Sequence, residues 1–217
     1  LGAGGIVLRR ALLASGWLAS EAFPTILATM RLPVVLAHAA ALLLGYVALR
    51  RMLPAGLALL AALLWAADPF VVGYSRLLHT DALAGSFAML SLPAACVCWN
   101  HAGGRRWLIV SGISAGLAFL SKSPALALAP AIGLIALLGD KGRQARDAQP
   151  EQSTRVARLV SLVSPLLVWA LVATLTVFAL WPALWVSPLR PYELVRLGVE
   201  AEGAQPHMLG NFFLGRQ

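Results

Sequence analysis

LVSLVSPLLVWALVATLTVFALW, residues 159–181, contains no charged side chain. It is longer than the ~20 residues an apolar helix needs to cross a bilayer. It lacks the period-2 alternation of a barrel strand, so a helix is the expected form. Five further apolar runs precede it, at roughly 32–49, 53–67, 82–99, 107–121 and 124–139. The chain is 59% hydrophobic and 12% charged, against about a quarter charged in soluble domains. Lipid is the solvent that this composition fits. The expected fold is therefore all-α: a polytopic transmembrane helical bundle with juxtamembrane helices.

The organisation expected over residues 1–217 is a single membrane domain with three parts. Residues 1–31 form an outer juxtamembrane segment, with an interfacial helix in which Arg9, Arg10 and Glu21 interleave with apolar residues. Residues 32–181 supply about six membrane helices, and 182–217 begin an outer loop. The chain opens on Leu1 and stops at Gln217 within an element that reads as unfinished, so a fragment incomplete at both ends is expected. Small-residue clusters such as SGISAGLAF, residues 111–119, suit close helix packing. Cys96 and Cys98 are separated by one residue, poor geometry for a disulfide, and read as packed or lipid-facing thiols.

The net charge of +8 does not point to nucleic acid. The cations form no continuous aromatic-interleaved surface, and many fall in short gaps between apolar runs. Arg50 and Arg51, then Arg105 and Arg106, then Lys141, Arg143, Arg146, Arg155 and Arg158 would share one side. The positive-inside rule makes that side cytoplasmic. The polar stretch 140–158 is expected to be a solvated loop there. Localisation follows as a multi-pass protein of the plasma (inner) membrane, surrounded by membrane lipids.

Ionisable residues in or beside a membrane are costly and tend to serve function. The topology brings Asp68, Arg76, His79, Asp81, Lys122, Glu200, Glu202, His207 and Asn211 to the outer side, from three separate stretches. In ADPFVVGYSRLLHTDAL, residues 67–83, Asp81 could cap a helix; alternatively, Arg76 could neutralise a phosphate. In FLSKSPAL, residues 119–126, Lys122 precedes Pro124 at a first helical turn. It could snorkel to the interface, or help seat a phosphate at a helix N-terminus. In the third stretch Trp181 and Trp185 suit an interfacial aromatic belt. Glu200, Glu202 and His207 there could equally be solvated. His38 is the one ionisable group set well inside an apolar run.

DPFVVGYSRLLHTDAL, GLAFLSKSPAL, WPALWVSP and PHMLGNFFLGR, in this order, resemble the bacterial branch of the dolichyl-phosphate-mannose–protein mannosyltransferases. That branch is related to the lipid A aminoarabinose transferases. The resemblance runs from about residue 30 to the end. It implies a glycosyltransferase C fold with an active face outward. It implies a polyprenyl-phosphate sugar donor and a protein, lipid or glycan acceptor. Its catalytic acidic pair is expected upstream of Leu1, so no catalytic residue is assigned within the chain. Arg76 and Lys122 are expected to bind the donor phosphate. His79, Asp81, Glu200, Glu202, His207 and Asn211 are expected around the sugar and acceptor. No cofactor is firmly implied. His79, Asp81 and an outer glutamate have the donor chemistry for a divalent metal, although no His/Cys metal spacing is present. The rival classes are a multi-pass transporter or lipid flippase, which would place charges near the bilayer midplane, and a non-catalytic membrane subunit.

Overall fold

The computed structural model describes residues 2–17, 23–76, 80–100, 104–146, 155–190, 192–193, 196–198 and 200. Among them every regular element is a helix. In chain order these are α1 (Gly2–Ala14), α2 (Phe23–Leu49), α3 (Ala55–Ala66), α4 (Pro69–Arg76), α5 (Thr80–Asn100) and α6 (Arg105–Ser121). A 3-10 turn (Ser123–Ala127) leads into α7 (Leu128–Arg146), followed by α8 (Arg155–Leu180) and the short α9 (Ala183–Val186). The chain divides into two compact units, Leu1–Val177 and Phe178–Gln217.

Among the described residues three helices are long and apolar enough to cross a membrane: Phe23–Leu49, Thr80–Trp99 and Val163–Leu180. Ala55–Ala66 and Ser123–Gly139 are apolar but shorter. The 17 residues of α6 reach about 25 Å at ~1.5 Å per residue, just short of the ~30 Å hydrocarbon core.

Two boundaries differ from expectation. Helix α2 begins at Phe23, not near 32, so residues 23–31 extend the long helix. Pro24 sits in its first turn, where a missing N–H costs nothing. Pro33 lies inside it and takes the helical partner from the Thr29 carbonyl. That carbonyl is covered by α1: a Cβ added to Gly5 would lie 3.2 Å from it and 2.7 Å from Met30 Cα. The second difference lies in the polar stretch 140–158, where α7 runs on to Arg146 and α8 already starts at Arg155. Lys, Arg, Gln and Ala are strong helix formers, so this helix outlasts its apolar part.

Within the first unit α5 is the hub, packed against α2, α4, α6 and α7. Phe87, Leu90, Ala94, Ala95 and Val97 are all buried along it, as expected of a helix apolar on every side. A polar node joins α5, α6 and α8 inside this apolar setting. The Ser111 hydroxyl donates to the Ser91 carbonyl (2.8 Å) and accepts from the Trp169 indole N–H (3.1 Å). The Ser91 hydroxyl lies 3.0 Å from the Ser111 carbonyl. Lipid offers these groups no alternative partner. Ser111→Ala removes the hydroxyl that accepts from the buried Trp169 N–H, and is expected to cost about 1 kcal/mol. Chemical denaturation in mixed micelles measures that loss.

The small residues of α6 do what their spacing suggests. A Cβ on Gly112 would meet Val172 Cβ at 2.9 Å, and one on Gly116 the Ala173 carbonyl oxygen at 2.7 Å. The backbones of α6 and α8 therefore approach closely through a small-xxx-small face. At the other flank Gly45 of α2 leaves room for the buried Trp65 ring of α3. Cys96 and Cys98 are not disulfide-bonded.

Candidate functional site

Helices α5 and α6 run in opposite directions along one another, joined by a short connection. This returns the chain at Lys122 to the end where α5 began, beside Asp81. Asp81 lies in the first turn of α5, where a negative charge complements the helix dipole. Lys122 is the single non-helical residue between α6 and the 3-10 turn, with φ −158° and ψ 131°. Its N–H closes α6 on the Ala118 carbonyl (2.9 Å), and its own carbonyl accepts from Ala125 N–H (3.1 Å). Pro124 opens the 3-10 turn, as its fixed φ and missing N–H favour.

The Lys122 ammonium forms an ion pair with the Asp81 carboxylate. The carboxylate is 14% exposed and the ammonium-bearing side chain 48%. A cation half open to solvent is thus held from one side by an acid that is largely covered. The pair can do two things. It clips the open ends of α5 and α6 together, and it presents a positioned positive charge to anything docking there.

The other expected site residues are distributed as follows. Arg76 is the last residue of α4, and α4 packs on α5. Asp68 caps that helix, its Oδ1 accepting the Val71 N–H at 3.0 Å. The rings of Phe70 and Tyr74 stack along the helix at 4.3 Å. Arg76 is therefore delivered by a short capped helix to the end of α5 that carries Asp81. His79 lies outside the described residues, as do Glu202, His207 and Asn211. Glu200 belongs to the second unit, where it pairs with Arg196 at 3.4 Å, one helical turn away. In that same unit the Trp185 indole donates to the Phe178 carbonyl (2.6 Å). Among the described residues no three His, Cys, Asp or Glu side chains group closely enough to hold a metal ion.

One polar contact near Asp81 was not foreseen. His38 Nδ1 of α2 meets Ser86 Oγ of α5, and Ser86 also donates to the Ala82 carbonyl one turn back (2.5 Å). Which of the two groups donates follows the imidazole tautomer. Ser86 is five residues from Asp81, about 7.5 Å along the helix. His38 thus ties α2 to α5 close beneath the Asp81–Lys122 pair. The signal available in the sequence was the cost of an imidazole in an apolar run. Nothing in the sequence named Ser86 as its partner.

The model of a protein family described as dolichyl-phosphate-mannose-protein mannosyltransferase matches residues 17–169, more than two thirds of the chain. No curated protein and no solved structure matches it. The matched range contains Asp68, Arg76, Asp81 and Lys122, and it covers helices of membrane-crossing length and composition. On this match the chain belongs to the dolichyl-phosphate-mannose-protein mannosyltransferase family, a family of membrane glycosyltransferases.

Proposed function

We propose that the protein moves a mannose-like sugar from a polyprenyl-phosphate carrier to an acceptor on the outer face of the plasma membrane. The observation that carries this reading is the half-exposed Lys122 ammonium held by Asp81 at the open end of α5 and α6. Family membership supports the reaction class. The distribution of arginines at the opposite end of α5 supports the outward orientation.

In the proposed reaction the bond from the sugar's anomeric carbon to the carrier phosphate oxygen breaks, and a bond to the acceptor hydroxyl oxygen forms. Charge grows on the departing lipid phosphate. Fixed cations aimed at that charge stabilise the transition state more than the ground state. Lys122 and Arg76 fill this role, and Asp81 positions Lys122. The acceptor's proton passes to a base, the role of the acidic pair that the resemblance places ahead of Leu1. Apolar helix faces flanking this end hold the prenyl chain. His79 remains a proposed contact of the sugar, and the acceptor is a protein, a lipid or a glycan.

The test uses full-length protein in membranes with a panel of radiolabelled polyprenyl-phosphate sugars, and Arg76→Ala alongside. Transfer from one donor, reduced at least tenfold in the variant at equal protein level, is the expected result. Absence of transfer from every donor by folded protein would favour the transporter reading instead.

A further inference from the structure

We propose that the corner formed by the end of α2 and the start of α6 binds the phosphate of an anionic phospholipid headgroup. Arg50 and Arg51 follow α2, while Arg105 and Arg106 open α6. Both pairs flank one buried cluster that joins Ala48 and Met52 to Trp107. Arg50, Arg51, Arg105 and Arg106 are all exposed. Among the described residues none of the four makes an ion pair. This corner lies at the opposite end of α5 from Asp81 and shares no residue with the proposed transfer site.

Retention of positive charge on the cytoplasmic side accounts for the sign of these residues, but not for their placement. Arg50 and Arg51 suit a helix C-terminus. Arg105 and Arg106 sit in the first turn of α6, where the helix dipole disfavours cations. Gly104 precedes them and offers no side-chain cap. In the same turn the indole N–H of Trp107, a residue only 6% exposed, has no acceptor among the described residues. Among the described residues, helix N–H groups without a side-chain cap, four arginines without an ion pair and an indole without an acceptor together lack one thing, an anion with several acceptor oxygens. A phosphodiester supplies it, taking paired N–H bonds from guanidinium groups and lying at the helix N-terminus. The lipid is the source we assign, because α2 and α5 are of membrane-crossing length and both end here. Their ends bring the arginines to headgroup depth.

The test is the melting temperature of the purified full-length protein in neutral detergent. Phosphatidylglycerol, phosphatidylcholine of equal chain length, and inorganic phosphate are added in turn. Phosphatidylglycerol is expected to raise the wild-type midpoint by about 5 °C more than phosphatidylcholine. That difference should fall by more than half in R105Q/R106Q and in R50Q/R51Q, and persist in R190Q/R196Q. R50Q/R51Q leaves α6 untouched and decides the matter if R105Q/R106Q does not fold. Equal shifts from the two lipids in the wild type overturn the proposal, as does a preference undiminished in R50Q/R51Q. A matching shift from inorganic phosphate overturns the assignment to lipid.

Discussion

Replacing Lys122 by methionine is expected to lower kcat/KM for the donor lipid by two to three orders of magnitude, with little change in folding. The size follows from the task. Removing one donor aimed at developing negative charge costs roughly 10²–10³-fold in rate. The structural cost should be far smaller. An ion pair whose cation is half exposed contributes up to about 1 kcal/mol, and methionine keeps the apolar stem of the lysine. Asp81→Asn should have a milder effect, about tenfold, because the ammonium remains and loses only its anchor. Initial rates against donor concentration, beside a melting curve for each variant, separate the two effects.

The largest effect on folding is expected at Gly116. A Cβ there would already stand 2.7 Å from the Ala173 carbonyl and 2.8 Å from Thr176 Cβ. Gly116→Leu must therefore push α6 and α8 apart. The same movement breaks the Trp169–Ser111 hydrogen bond, which lies on the same pair of helices. About 3 kcal/mol is expected, the upper end of overpacking costs. Gly133→Leu is the control, since a Cβ at Gly133 meets nothing within 4 Å. Comparing folded yield and denaturation midpoint of the two variants measures the difference.

The helices were legible because lipid tolerates little else: long apolar runs without period-2 alternation leave the helix as their form. The glycines of SGISAGLAF were legible as a packing face, yet their partner α8 was not, because spacing along one helix names no neighbour. Helix ends were read less well where prolines and charges intervened. The first span was expected from about residue 32, whereas α2 starts at Phe23 with Pro24 in its first turn and continues through Pro33. The charges from Asp140 onward suggested a loop, although most of those side chains favour helix once one has begun.

The candidate site was legible as a side and not as a set of contacts. Alternation of spans brought Asp81 and Lys122 to one end, but their pairing depends on α5 and α6 packing along their length. His38 was noticed as an anomaly, while Ser86 was silent, being one small residue among many. The serines of the α5–α6–α8 node were silent for the same reason.

The most direct test of the central claim is donor-lipid transfer by the double variant Asp81→Asn/Lys122→Met, measured beside both single variants. The double variant removes both charges together, so no carboxylate is left without its ammonium. If the pair seats the donor phosphate, the double variant stays as inactive as Lys122→Met, since Asp81 acts only through Lys122. Transfer restored to near the wild-type rate in the double variant would contradict this account, and would reduce the pair to a clip between two helices.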